Sequence, residues 1–141
     1  MSRSSGTTDG PVVVAIVNTN PDLVRLLRVA LEQAGFVVLV MHIEELRRGS
    51  TDLDVMLGQH DPKVVVYDVA PPYEHNWRFF EHLRTATGFR GRQFVLTSVN
   101  KRLLKNVVKM HEDIYEVDGE GQDIVAVVRG VKEASRARPT K

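Results

Sequence analysis

Cysteine is absent from the 141 residues. That excludes disulfides, thiolate zinc sites and cysteine nucleophiles, and it fits a reducing compartment. A dominant charge sign is also missing: 19 basic side chains face 18 acidic ones, for a formal net charge of +1. No global field would hold such a chain on nucleic acid or anionic lipid, so neither nucleic acid nor membrane is expected as a partner. Apolar runs stay far below the roughly 20 residues that cross a bilayer, and residues 1–10 carry no apolar stretch of the kind a signal peptide needs. A cytoplasmic location is the expectation.

Enzyme signatures are lacking as well. No P-loop, no serine in a GxSxG setting and no zincin pattern occurs, and Gly119-Glu120-Gly121 lacks the rest of any phosphate loop. His60, His75, His82 and His111 lie in different segments, with no pair at metal-ligand helical spacing. The chain is not expected to be an enzyme, and no cofactor is expected.

What is present suffices for one domain with its own core: 43% of residues are hydrophobic and 26% charged. Residues 1–10, rich in Ser, Thr and Gly, are predicted as a disordered leader, 11–134 as the folded domain and 135–141 as a basic disordered tail. Residues 11–17 (PVVVAIV), 36–41 (FVVLVM), 63–68 (KVVVYD) and 93–97 (QFVLT) are short, β-branched or aromatic and nearly continuous in apolarity. They read as buried strands, and 114–117 as a weaker one.

Between the strands the apolar period changes to that of a helix. Residues 21–34 place Leu23, Leu26, Leu27, Ala30 and Leu31 at helical spacing, with Asn20 to cap the start, Pro21 at the first position and Gly35 at the end. Residues 43–60 form a weaker stretch broken near 49–51. Segments 76–87, 101–110 and 123–134 complete the helices. Strands alternating with helices call for a parallel sheet covered on both faces, whose ligand site lies outside the carboxyl ends of the strands. The loops after Val17, Asp68 and Thr97 are predicted to converge there.

VAIVNTNPDLVRLL, VVVYDVAPP, FVLTS and the late segment around Tyr115 resemble, in order and spacing, the response-regulator receiver family. The resemblance implies a flavodoxin-like five-stranded parallel sheet of order 2-1-3-4-5. It places Asp68 where receivers carry the phospho-accepting aspartate, Pro72 at the proline four residues on, and Thr97 at the switch hydroxyl. Other positions depart from the family. Asn18 and Thr19 replace the acidic pair that binds Mg²⁺, Asp118 replaces a lysine, and Asn76 replaces a glycine. Magnesium favours hard, preferably anionic oxygens, so at most a weak Mg²⁺ site at Asp68 is expected. Phosphoryl transfer depends on metal and cation, which leaves Asp68 an inefficient or vestigial acceptor, or a loop cap.

The resemblance then implies an atypical receiver acting in signal transduction through a protein partner: a histidine kinase, an output domain or another signalling protein. The expected contact face comprises 101–110, the next strand and the last helix, with Lys101, Lys105, Lys109 and Tyr115 on it, and homodimerisation there is an option. Tyr73 and Trp77 are aromatic candidates for the same purpose, their exposure deciding between anchor and core. Two alternatives stay open: a phosphorelay receiver in which Asp68 is phosphorylated slowly, and a flavodoxin-like small-molecule sensor.

Overall fold

The computed structural model describes residues 11–18, 20–42, 53–85, 89, 91–98, 114–116 and 123–136. In chain order the elements are β1 (Val13–Val17), α1 (Pro21–Gln33), β2 (Val37–Met41), α2 (Leu53–His60), β3 (Val64–Asp68), α3 (Tyr73–Thr85), β4 (Gln93–Thr97), β5 (Ile114–Glu116) and α4 (Ile124–Arg136). The strands form one five-stranded sheet in the order β2-β1-β3-β4-β5, and every pairing is parallel. This is the doubly wound order expected from the sequence.

Successive side chains of a strand point to opposite faces, so β1, β3 and β4 each feed two cores, while β2, expected to be buried, is an edge strand with Val37 exposed. Ala15, Val17, Val65, Tyr67, Phe94 and Leu96 pack with Leu57 of α2 and with Trp77, Phe80 and Leu83 of α3. Val14, Ile16, Val64, Val66 and Val95 pack on the opposite face with Leu23, Leu27 and Leu31 of α1 and with Ala126, Val127, Val131 and Ala134 of α4. Burial on both faces explains why these strands lack the polar alternation of a half-exposed sheet.

Local chemistry fixes the helix ends. Asn20 Oδ1 accepts the N–H groups of Asp22 and Leu23 at 3.0 and 3.2 Å, satisfying two donors that have no partner within the helix. At the other end the chain turns through Gly35 at φ +98°, while Phe36 N–H returns to Leu31 O at 3.0 Å. That backbone conformation disfavours any residue with a Cβ. Asp123 caps α4 by accepting Ala126 N–H on Oδ1 at 3.1 Å.

Of the stretch expected to be helical at 43–60, residues 43–52 lie outside the described residues, and two other helix ends differ from the sequence reading. Helix α3 starts at Tyr73, where the periodicity had placed the start at 76, because Pro72 O accepts Asn76 N–H at 3.0 Å and opens the helix directly after the proline pair. Helix α4 runs to Arg136, two residues into the predicted tail, and Lys63 Nζ at the start of β3 donates to Ser135 O in its last turn. The leader 1–10, the helix predicted at 101–110 and residues 137–141 lie outside the described residues.

The amino-terminal edge of β4 is joined to the end of α2 by one side chain. Arg92 Nη1 donates to Asp61 Oδ1 at 2.8 Å and to Pro62 O at 2.7 Å, and Nη2 reaches Leu57 O at 3.5 Å. A loop residue thereby holds the last turn of α2 against the sheet.

Candidate functional site

Strands β3 and β4 pair in a register that sets Asp68 opposite Thr97 at their carboxyl ends. Thr97 Oγ1 donates to Asp68 Oδ1 at 2.7 Å, and Val69 N–H donates to Thr97 O at 2.9 Å. The two residues that the resemblance singled out are therefore bonded to each other. Thr97 is buried and Asp68 half-buried. Burial pushes the Asp68 carboxyl above its ordinary pKa, and the hydrogen bond from Thr97 opposes that rise only in part.

Asn18 stands at the end of β1 on the same edge, only 6% exposed. Its Oδ1 accepts Asn20 N–H at 2.8 Å, an Asx-type turn that leads the chain into α1. The residue that replaces a carboxylate in the family pattern thus serves its own loop. Thr19 and Asp118 lie outside the described residues.

Asn76, at the position that is glycine in typical receivers, is buried, and its Nδ2 donates to Ala70 O at 2.7 Å. That bond ties the first turn of α3 to the loop following Asp68. Replacing Asn76 by Ala leaves the Ala70 carbonyl short of a donor and is expected to cost about 1–2 kcal/mol. Faster amide exchange at Val69 and Ala70 would accompany the loss in stability; unchanged exchange there would show that the loop does not depend on this bond.

Trp77 is 4% exposed and stacks near Phe80 with ring centroids 5.2 Å apart, which makes it core and not a surface anchor. Tyr73 is half-buried against the same aromatic cluster. The backbone of Tyr115 lies in β5 opposite Val95. Lys101, Lys105 and Lys109 fall outside the described residues.

Among the described residues, the carboxyl edge offers magnesium one carboxylate and one amide. Asp68 supplies one carboxylate, already bonded to Thr97; Asn18 supplies a neutral amide whose oxygen is taken by the backbone. Among the described residues no three His, Cys, Asp or Glu side chains come together in a group able to hold a metal ion. Magnesium prefers several hard anionic oxygens in octahedral array, and the described residues supply one carboxylate. Nor does a cation among the described residues offset the burial of Asp68.

No protein-family model matches the sequence, and no curated protein matches it either. Solved structures do. The chain is similar to a response regulator protein from Burkholderia multivorans at 14% identity and TM-score 0.51, covering 92% of this chain and 99% of that one. Similarity to a chemotaxis response regulator of Vibrio cholerae has TM-score 0.56 and 13% identity over 88% of this chain and 98% of the other. A response regulator in red light signaling of R. palustris matches at TM-score 0.52 and 12% identity, over 92% and 100%. At such identities the shared property is the fold, and the chain has the fold of receiver domains. No described helix is long and apolar enough to cross a membrane.

Proposed function

We propose that this chain is an atypical receiver-fold module that acts in cytoplasmic signalling by contact with a protein partner, without phosphorylation of Asp68. One observation carries the reading: among the described residues the carboxyl edge holds a single half-buried carboxylate, bonded to Thr97, while the neighbouring Asn18 oxygen is committed to its own turn. Adding a phosphoryl group to Asp68 would place further negative charge where burial already penalises the one present. Charge neutralisation by metal and cation is the main resource of phosphoryl transfer, and the described residues offer neither. The Asp68–Thr97 bond acts instead as a fixed link between the ends of two central strands, and the surface of the module carries the signal.

The direct test is thermal unfolding with Mg²⁺ and beryllofluoride, an acyl-phosphate mimic, for the parent and Asp68→Asn proteins. Neither protein is expected to shift. A mimic occupying Asp68 at a hundredfold excess over its Kd would add about 2.7 kcal/mol, or about 5–10 °C. A rise of that size in the parent, lost in Asp68→Asn, overturns the proposal and restores the slow phosphorelay acceptor.

The titration of Asp68 makes a second expectation. Its folded-state pKa is raised, so the folded protein holds this proton more tightly than the unfolded chain does. Its contribution to stability is therefore greatest below the ordinary carboxylate range, declines as pH rises from there through the raised value, and is flat above it. Asp68→Asn should melt higher than the parent at pH 7, with the advantage disappearing at pH 3. Equal melting temperatures at both pH values would show that burial does not penalise this carboxylate.

A further inference from the structure

We infer that the groove between α1 and α4 is a docking site for an acidic amphipathic helix of a partner protein. It encloses about 350 Å³ between half-buried Ala30 on α1 and half-buried Ile124 and Val128 on α4, with exposed Val125, Gln33, Arg129 and Lys132 around them. Leu26 and Val29 extend the apolar surface along α1, 58% and 49% exposed, and Val125 is 68% exposed. Leu26 and Ala30 are four residues apart, as are Val29 and Gln33, so the two exposed side chains adjoin the groove. Isolated apolar side chains on a surface need no explanation; a run of them beside a recess between two helices marks an interaction surface.

The charge on this face selects the occupant. On α4 the positions spaced like one helical stripe are Val125, Arg129, Lys132 and Arg136, all exposed: one apolar residue and three cations. None of the three cations pairs with an acid among the described residues, where the ion pairs include Asp22–Arg25, Glu32–Arg28, Glu74–Arg78 and Asp61–Arg92. The matching stripe on α1, Asp22, Leu26, Val29 and Gln33, supplies one acid, and Arg25 stands 4.0 Å from it. A second copy would therefore bring an excess of positive charge against positive charge, which disfavours self-association. A bilayer surface would meet the cations but leave the recess unfilled. A helix with apolar residues at i, i+3 or i+4 and i+7 fills it, and carboxylates flanking that stripe meet Arg129, Lys132 and Arg136.

This inference deepens the proposed function by naming a contact surface, and it does not depend on the chemistry of Asp68. The probe is a synthetic helical peptide with leucines at that spacing and glutamates on both flanks, compared with the same peptide carrying lysines in place of glutamates. Amide shifts in ¹⁵N-labelled full chain are expected at Ala30, Gln33, Val125 and Val128, with the acidic peptide bound about tenfold more tightly at low salt. The double charge reversal Arg129→Glu with Lys132→Glu, at exposed positions that leave both cores intact, should invert that preference, and Asp68→Asn should leave it unchanged. Equal binding of both peptides, or shifts confined to other elements, overturns the inference. So does binding to phosphatidylserine vesicles that the charge reversal abolishes in the absence of preference between the peptides, or a homodimer in light scattering that dissolves on that reversal. A beryllofluoride response at Asp68 would remove the phosphorylation-independent reading alone, and the peptide titration would still stand or fall separately.

Discussion

Phe80→Ala is expected to lower the free energy of unfolding by about 4 kcal/mol, a large share of the 5–15 kcal/mol that typically separates folded from unfolded domains. Phe80 is wholly buried at the centre of the cluster between the sheet and α3. Its ring centroid lies 4.8 Å from Tyr67, 5.2 Å from Trp77 and 5.2 Å edge-on from Phe94. Truncation removes the burial of the ring, leaves a cavity walled by three other rings that cannot all relax into it, and deletes tilted and edge-on contacts each worth about 0.5–1.5 kcal/mol beyond area. Phe80→Leu keeps much of the volume and should cost roughly half as much. Urea unfolding followed by far-UV circular dichroism measures both, and a loss below about 1 kcal/mol for the alanine variant would show that the cluster repacks freely.

The second large effect is expected at Arg92, a residue that nothing in the sequence singled out. Arg92→Met retains the aliphatic stem but removes the donors to Pro62 O, Leu57 O and Asp61 Oδ1. The Asp61 carboxylate is mostly solvent-facing, with 82% of its side chain exposed, so water recovers that interaction and the ion pair itself contributes little. The Pro62 carbonyl is the costly part, because it accepts from Arg92, whose side chain is only 15% exposed, whereas Leu57 O keeps the Asp61 N–H. The expected loss is about 2 kcal/mol, with Asp61→Asn alone costing under about 0.5 kcal/mol. Arg92→Lys keeps the charge and loses the fork, so it should recover less than half of the loss. Hydrogen exchange at the Asp61 amide, which donates to Leu57 O at 2.7 Å, reports the same change locally. Were Asp61→Asn to cost as much as Arg92→Met, the exposed ion pair and not the carbonyl bonds would be the fastening.

Strands β1 to β4 and α1 were legible because their signals are redundant. Unbroken runs such as VVVYD have no solvent face to encode, and α1 combines periodicity with Asn20, Pro21 and Gly35 at its ends. The start of α3 was not legible, because Tyr73, Glu74 and His75 lie in an aromatic, histidine-bearing stretch that looks like a loop and becomes helical through the Pro72 carbonyl, a backbone acceptor with no sequence signature. At the candidate site, Asp68 and Thr97 could be named from the ends of their strands, but not their mutual bond, which follows from β3–β4 register. Asn18 could be seen as a lost carboxylate; that its oxygen closes the turn to Asn20 is a matter of loop geometry. Asn76 stood out as a departure from the family pattern, and only the fold reveals the carbonyl it holds. The groove escaped notice because its walls are 94 residues apart in sequence, from Ala30 to Ile124, and meet only once the sheet is wound.

The parity of the strands also makes the molecule easy to observe. Its single tryptophan belongs to the layer formed with α2 and α3, whereas the α1–α4 groove lies over the other layer, and the two sets of buried residues have no member in common. Intrinsic fluorescence therefore reads one side of the sheet: Trp77 should be shielded from acrylamide until the domain unfolds, and its emission should stay constant while a helix occupies the groove. Emission and groove-specific amide shifts form two separate channels, one reporting whether the protein is folded and the other whether it is engaged.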